Sequence, residues 1–376
     1  MTKPEVLIDG AVFENDSQIG IWRLFYEVMT RTRFDITYTL LLSNKPIQPV
    51  PEDVLVRKLG PRYDPVSRKQ LPLRLMGWPF RRQVAAHHPN AIWHSTFYGL
   101  DPRPLAPRIV TVYDMIAERC YSIGPYLYQR QQKARSLQHA DAVLAISQAT
   151  ATELGHFYPD LRERLRVMHL GREHLSTDAE RLTKPFPSPP VASEPNDAGY
   201  CLFIGGRYAY KNFVTVIEAL SQPDWPAHLK LVVVGADFDD AEQALIRALG
   251  VERRIRHVGK ADHELLRNYY TGAKCFLFPS LMEGFGIPIL ESQSLGVVTV
   301  VSDIPVFREI AGSGAIYFDG HSPAALAIAV RRSLDPAVRE SVIGEAVKNC
   351  QRFSWDEAAR ITTECYHSLW KKHSLS

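Results

Sequence analysis

One rhythm constrains this chain more than any other feature: apolar runs of strand length alternate with helix-length amphipathic segments through both halves of its 376 residues. That alternation is the pattern of parallel sheets covered by helices on both faces. In the first half it predicts strands at 5–10, 36–42, 91–96, 108–114, 141–147 and 164–170, with the clearest helices at 21–32 and 126–140. The rhythm stops at TKPFPSPPVASEPNDAG, residues 183–199, where five prolines among small polar residues form no packed element. It then restarts, with strands at 200–205, 229–235, 255–259, 274–280, 297–302 and 315–318 and helices at 212–220, 239–249 and 262–273. A helical stretch, 354–373, closes the chain. The expected fold is therefore α/β: two Rossmann-like, doubly wound parallel-sheet domains. The boundaries are 1–182, a linker 183–199, 200–353, and a C-terminal segment 354–376. Such sheets take ligands beyond their carboxyl ends, which makes a cleft between the two sheets the expected binding place.

Composition narrows the class. Hydrophobic residues make up 45% and charged residues 23%, without low-complexity tracts or short repeats, which speaks against disorder and solenoids. The five cysteines, Cys120, Cys201, Cys275, Cys350 and Cys365, are odd in number and scattered, and two lie in strand-like apolar runs. Reduced thiols, a cytoplasmic setting and no metal site follow as expectations. The N-terminus lacks a long apolar core, and no run approaches the roughly 18 apolar residues of a membrane span, so neither secretion by signal peptide nor a spanning helix is expected. The charge is +3 overall but uneven, and much of the basic excess of the first half sits at 66–88, VSRKQLPLRLMGWPFRRQVAAHH. This segment suits either a peripheral contact with an anionic membrane face or acceptor, or a solvated basic surface.

Two stretches carry chemistry. In FIGGRYAYKN, 203–212, a strand runs into Gly205–Gly206, and Arg207 and Lys211 follow at a helix entry. Glycines allow close backbone approach and cations beside a helix N-terminus suit a diphosphate, although a tight turn with solvated cations fits the same letters. In FPSLMEGFGIPILES, 278–292, Glu283 lies in a turn, Gly284 and Gly286 loosen the backbone, Pro288 suits a first helical turn, and Glu291 follows on the helix. Carboxylates accept paired hydrogen bonds from vicinal hydroxyls, which suits Glu283 to a sugar and Glu291 to a ribose. A preference of acids for helix N-termini explains them as well.

Taken together, G-G-R-x-x-x-K-N and, about 75 residues later, E-G-F-G-I-P-x-L-E resemble the donor site of retaining glycosyltransferases of family 4, which have the GT-B fold. The resemblance runs through 232–237, 257–259, 265–288 and 302–312, and more loosely through 17–23, 93–98, 111–116 and 145–150. It implies that Arg207, Lys211 and Gly206 hold a donor diphosphate and Glu291 the ribose. Glu283, with Gly284, Phe285, Gly286 and Ile287, would hold the transferred sugar and its phosphate, and Gly20 would bring a first-domain loop to the same diphosphate. Where the family often has His-Asp, this chain has Tyr113-Asp114; the pair is expected at the acceptor or sugar. The segment 354–376 resembles the family's closing helix, which crosses back to the first domain.

The resemblance implies transfer of a hexose, mannose from GDP-mannose as the first reading, to a hydroxyl of a glycan or lipid-linked acceptor in polysaccharide or lipopolysaccharide synthesis. The expected catalytic set is Glu283, Arg207, Lys211 and Asp114, with no cofactor or metal and no nucleic-acid partner. Glu283 positions the sugar rather than attacking it, because in the front-face route the departing phosphate oxygen takes the acceptor proton. A nucleotide-sugar epimerase and a non-catalytic partner subunit are the alternatives. His94, His169 and His257 read as structural, Tyr269, Tyr270, Phe276 and Phe278 as core, and Asp303 and Glu309 as either pocket lining or helix-end residues.

Overall fold

The computed structural model describes residues 3–14, 19–42, 45–58, 87–99, 106–119, 125–172 and 199–374. The basic segment 66–88, apart from its last two residues, and the linker 183–199, apart from Gly199, lie outside them, as does Cys120. The chain forms two compact units, Met1–Gly171 with Ser354–Ser376, and Arg172–Phe353.

The first unit is built on a seven-stranded sheet of β1 (Glu5–Asp9), β2 (Thr37–Leu42), β3 (Leu55–Lys58), β4 (Ile92–Ser95), β5 (Arg108–Val112), β6 (Ala142–Ala145) and β7 (Leu165–Val167). Their spatial order is β3-β2-β1-β4-β5-β6-β7, and every pairing is parallel. The second unit holds β8 (Tyr200–Ile204), β9 (Lys230–Val234), β10 (Ile255–His257), β11 (Cys275–Phe278), β12 (Val298–Ser302) and β13 (Ala315–Phe318). Their order is β10-β9-β8-β11-β12-β13, again wholly parallel. Central strands such as β9 and β11 are apolar without alternation because helices cover both faces, and Leu231, Val232, Val233, Phe276 and Leu277 are all fully buried.

In each sheet the strand order reverses once, between β1 and β4 and between β8 and β11. The loops leaving two neighbouring strands there run to opposite sides, which opens a crevice at the carboxyl edge. In the second unit those loops are 205–212 and 279–286, the two stretches singled out in the sequence.

Three differences from the sequence reading have physical causes. The edge strand β3 was not anticipated, because LVRK is short and Leu55 and Val56 remain exposed. The run 164–170 contributes only Leu165–Val167, at the other edge, where there is one neighbour to pair with. Helices Gln148–Phe157, Pro323–Arg332 and Pro336–Cys350 were also not predicted. No described helix is long and apolar enough to cross a membrane.

The four described cysteines are buried free thiols. Cys201 and Cys275 are register partners across β8 and β11, with their sulfurs 3.4 Å apart. Burial and the hydrogen bond with Cys275 push the Cys201 thiol up.

Candidate active site

At the switch point of the second unit, Lys211 ends a short 3₁₀ turn, Ala209–Lys211, after β8. Its Nζ donates to Glu283 Oε1 at 2.5 Å, so the pair joins the loop after β8 to the loop after β11. Both side chains keep some solvent access, 22% and 12%. The ammonium also lies 5.4 Å from the ring centres of Tyr210 and Phe278. The loops are joined a second time by Asn212, whose left-handed backbone (φ 57°) turns the chain into helix Phe213–Leu220. Its side-chain amide donates to Pro279 O at 3.1 Å and Gly320 O at 2.7 Å.

Beyond Glu283, residues Gly284, Phe285 and Gly286 are buried and Ile287 half-buried. Gly286 precedes helix Ile287–Ser294 with φ +114°, a conformation that excludes other side chains without strain. No side chain caps that helix, and Pro288 removes one amide from its first turn. Glu291 lies one turn in and accepts a hydrogen bond from the Tyr270 hydroxyl at 3.0 Å. The two glutamates thus belong to different local networks.

Arg207 is placed differently from Lys211. Its Nε donates to both oxygens of Glu242, at 2.8 and 2.9 Å, its Nη1 to Ala236 O at 2.7 Å, and its Nη2 to Asp237 O. The guanidinium stacks over Phe238 and Phe213, and its side chain is 6% exposed. Every guanidinium nitrogen therefore has a protein partner in the loop after β9 or in the helix following it. The sequence expectation of two cations on one diphosphate thus meets a structure that puts Arg207 and Lys211 in separate networks. Gly206, beside Arg207, is exposed.

In the first unit, Gly20 is exposed in the first turn of helix Ile19–Thr32. Tyr113 is buried after β5, and its hydroxyl donates to Thr96 O at 2.8 Å, so the polar end foreseen for a sugar or acceptor is held by the protein. Burial drives its phenol well above the usual range. Asp114 is half-buried, and its Oδ1 accepts from the Ile116 amide at 3.0 Å. Among the described residues, no group of three His, Cys, Asp or Glu is placed to hold a metal ion.

Residues 188–349, which include the whole Lys211–Glu283 arrangement, match the family described as Glycosyl transferases group 1. Over 301 residues, covering 77% of this chain and 78% of the relative, the sequence is 26% identical to O-antigen chain mannosyltransferase B of Escherichia coli. Sucrose-phosphate synthase from Thermosynechococcus elongatus superimposes with a TM-score of 0.73 at 18% identity, covering 98% of this chain and 100% of that one. The Anabaena protein Alr3699/HepE, solved in complex with UDP-glucose, gives 0.71 at 16% identity, covering 97% and 99%. The chain thus carries a domain of the group 1 glycosyl transferases over residues 188–349. Its two parallel sheets are the GT-B architecture.

Several residues that hold these loops in place are not marked out in the sequence. Glu242 was hidden as an ordinary helix acid, although Asp239 three positions earlier completes a capping box with it, a signal present in the letters. Asp9, 2% exposed at the end of β1, accepts from Ser95 Oγ at 2.6 Å and from the Thr96 amide at 3.0 Å, and so ties β1 to β4. Lys133 and Glu118, outside every stretch of family resemblance, form a buried ion pair at 2.7 Å. Nothing in their spacing distinguishes them from surface charges.

Proposed function

We propose that this glycosyltransferase is a retaining, metal-independent hexosyltransferase. It transfers mannose from GDP-mannose to a hydroxyl of a glycan or lipid-linked acceptor in surface polysaccharide or lipopolysaccharide assembly. The observation that carries the reading is the Lys211–Glu283 pair at the switch point, beside the uncapped helix Ile287–Ser294. A cation, a carboxylate and helix-terminal amides in one crevice are the groups that a sugar diphosphate needs. The mannosyl assignment is supported by the name of the Escherichia coli relative.

In this reading the bond between the anomeric carbon and the diphosphate oxygen breaks as the acceptor oxygen bonds to the same face, and the acceptor proton ends on the departing phosphate oxygen. Lys211 and the helix amides stabilise the charge gathering on the diphosphate. Glu283 orients the sugar, Glu291 the ribose, and Asp114 the acceptor or the transferred sugar. Tyr113, next to Asp114, is tied to the loop after β4 by its hydroxyl bond to Thr96 O. The protein works at the cytoplasmic side of a membrane that carries its acceptor.

A thermal-shift series with GDP-mannose, UDP-glucose, dTDP-rhamnose and ADP-glucose tests the donor, because a ligand that binds only the folded state raises the melting temperature. GDP-mannose is expected to give the largest rise; a larger rise with another sugar replaces the donor assignment. Glu283→Gln should retain nucleotide-dependent stabilisation while losing nucleoside diphosphate release. Unchanged release in that variant would sink the site, and conversion of the donor into an epimer without acceptor would make the enzyme an epimerase.

A further inference from the structure

Helix Pro125–Gln138 carries an unusual burial. Lys133 is 0% exposed and its partner Glu118 is 1% exposed, and removing two charges from water costs several kcal/mol per ion before their attraction offsets it. The pair lies against the segment that follows β5. Lys133 Nζ donates to the Asp114 carbonyl at 2.7 Å and to Glu118 Oε2 at 2.7 Å, and it lies 3.9 Å from Asp114 Oδ1. Glu118 Oε1 accepts from the Tyr158 hydroxyl at 3.2 Å.

A second observation lies on the same face of that helix. Ser136, three positions after Lys133, donates to the Tyr98 carbonyl at 2.7 Å. Tyr98, in the loop after β4, has φ 56°, a left-handed conformation that a bulky residue adopts only when its surroundings impose it. Lys133 Nζ sits 5.5 Å from the centre of its ring. One helical face thus fixes the loops leaving two adjacent strands, and at both loops the fixing is costly. A solvated loop needs neither a buried lysine nor a strained tyrosine.

We infer that Lys133 is a positioning residue of the glycosyltransferase: paired with Glu118, it holds the Asp114 carbonyl and thereby sets where the Asp114 carboxylate stands. The inference rests on the proposed role of Asp114. Glu118 balances the charge of Lys133, whereas the bond to the Asp114 carbonyl fixes the turn. The two tasks separate by mutation. Lys133→Met alone leaves Glu118 buried without its cation and is expected to destabilise the fold. Lys133→Met with Glu118→Gln removes both charges, so the melting temperature recovers while the Asp114 carbonyl still lacks its donor.

The test measures GDP release from GDP-mannose with octyl α-mannoside as acceptor probe, together with melting temperature and exchange of the Ile116 amide, whose hydrogen bond to Asp114 Oδ1 reports the turn. In the double variant, stability near wild type, kcat/KM for the probe reduced about tenfold, unchanged donor-induced stabilisation and faster Ile116 exchange are expected. Lys133→Met should add nothing further to Asp114→Ala. Recovery of transfer together with stability, or losses that multiply with Asp114→Ala, would overturn the inference. So would unchanged Ile116 exchange, a readout that holds even if the wild type transfers nothing. Full transfer by Asp114→Ala would instead remove the proposed role of Asp114.

Discussion

At the scale of single residues, the letters name a cation or carboxylate long before they say whom it serves. Arg207 and Lys211 stand four apart, and nothing in G-G-R-x-x-x-K-N separates them. The structure does, because Phe213, Phe238 and Glu242 form a slot for a flat guanidinium, whose Nε is shared between both Glu242 oxygens while its two Nη atoms reach the carbonyls of Ala236 and Asp237. Arg207 therefore acts as a strut between the loops after β8 and β9. Arg207→Ala should lower unfolding free energy by about 3 kcal/mol, since it strands a carboxylate that is 9% exposed. Chemical denaturation measures this loss, and Arg207→Ala with Glu242→Gln should return part of it. A variant with wild-type stability that loses only donor binding would show that the strut is secondary to a direct phosphate contact. The pairing of Lys211 with Glu283, 72 positions apart in sequence, was invisible to any local pattern, although both residues were legible as candidates.

At the scale of elements, legibility followed punctuation. The strands adjoining the switch points were readable as apolar runs, and the turn before helix Ile287–Ser294 was readable from its glycines and Pro288. Helices Pro323–Arg332 and Pro336–Cys350 carry equally plain start signals, Ser322-Pro323 and Asp335-Pro336, and both caps form, with Ser322 accepting from the Ala325 amide and Asp335 from the Val338 amide. They were missed because no glycine or proline run sets them apart from one another. β3 had no signal, since an exposed four-residue edge strand is defined by its neighbour. The turn at Gly286 yields a direct prediction. A β-carbon there would lie 3.1 Å from Ile289 Cδ1 in a backbone region L-residues rarely enter. Gly286→Ala should cost about 1–3 kcal/mol and shift the helix terminus beside Glu283. Donor-induced stabilisation should fall with it; full donor affinity in this variant would mean that the terminus does not touch the diphosphate.

At the scale of the whole molecule, chain order and structural unit disagree, because the last helix, Trp355–Ser374, belongs to the first unit. In the sequence only the family resemblance points to this; helical periodicity says that the segment has an apolar face, not which unit receives it. The structure supplies the receptor. Tyr366 is buried, and its hydroxyl meets His94 Nδ1 at 2.7 Å, while His94 Nε2 meets Thr111 Oγ1 at 2.9 Å. Burial lowers the His94 imidazole from its ordinary value of 6.5 to about 3, so the folded protein keeps it neutral where an unfolded chain binds a proton. Its contribution is complete above about pH 6.5 and is lost as pH falls toward 3. Between pH 7 and pH 5 unfolding free energy should fall by about 2 kcal/mol from this group, and His94→Asn should flatten that fall in urea titrations at the two pH values. The same contacts decide which pieces of the chain stand alone. Residues 172–353 contain their own closed core, from Phe203 and Leu231 through Val300 to Leu326, and should unfold cooperatively as an isolated fragment. A fragment 1–171 would expose the surfaces that cover Tyr366 and Leu369, at about 2 kcal/mol for each large side chain, and would leave His94 short of a hydrogen-bond partner. Against a usual total of about 5–15 kcal/mol, that fragment should melt far lower than one in which 354–376 is rejoined to it by a flexible linker. Equal melting temperatures for the two by circular dichroism would show that the final helix decorates the first unit rather than completing it.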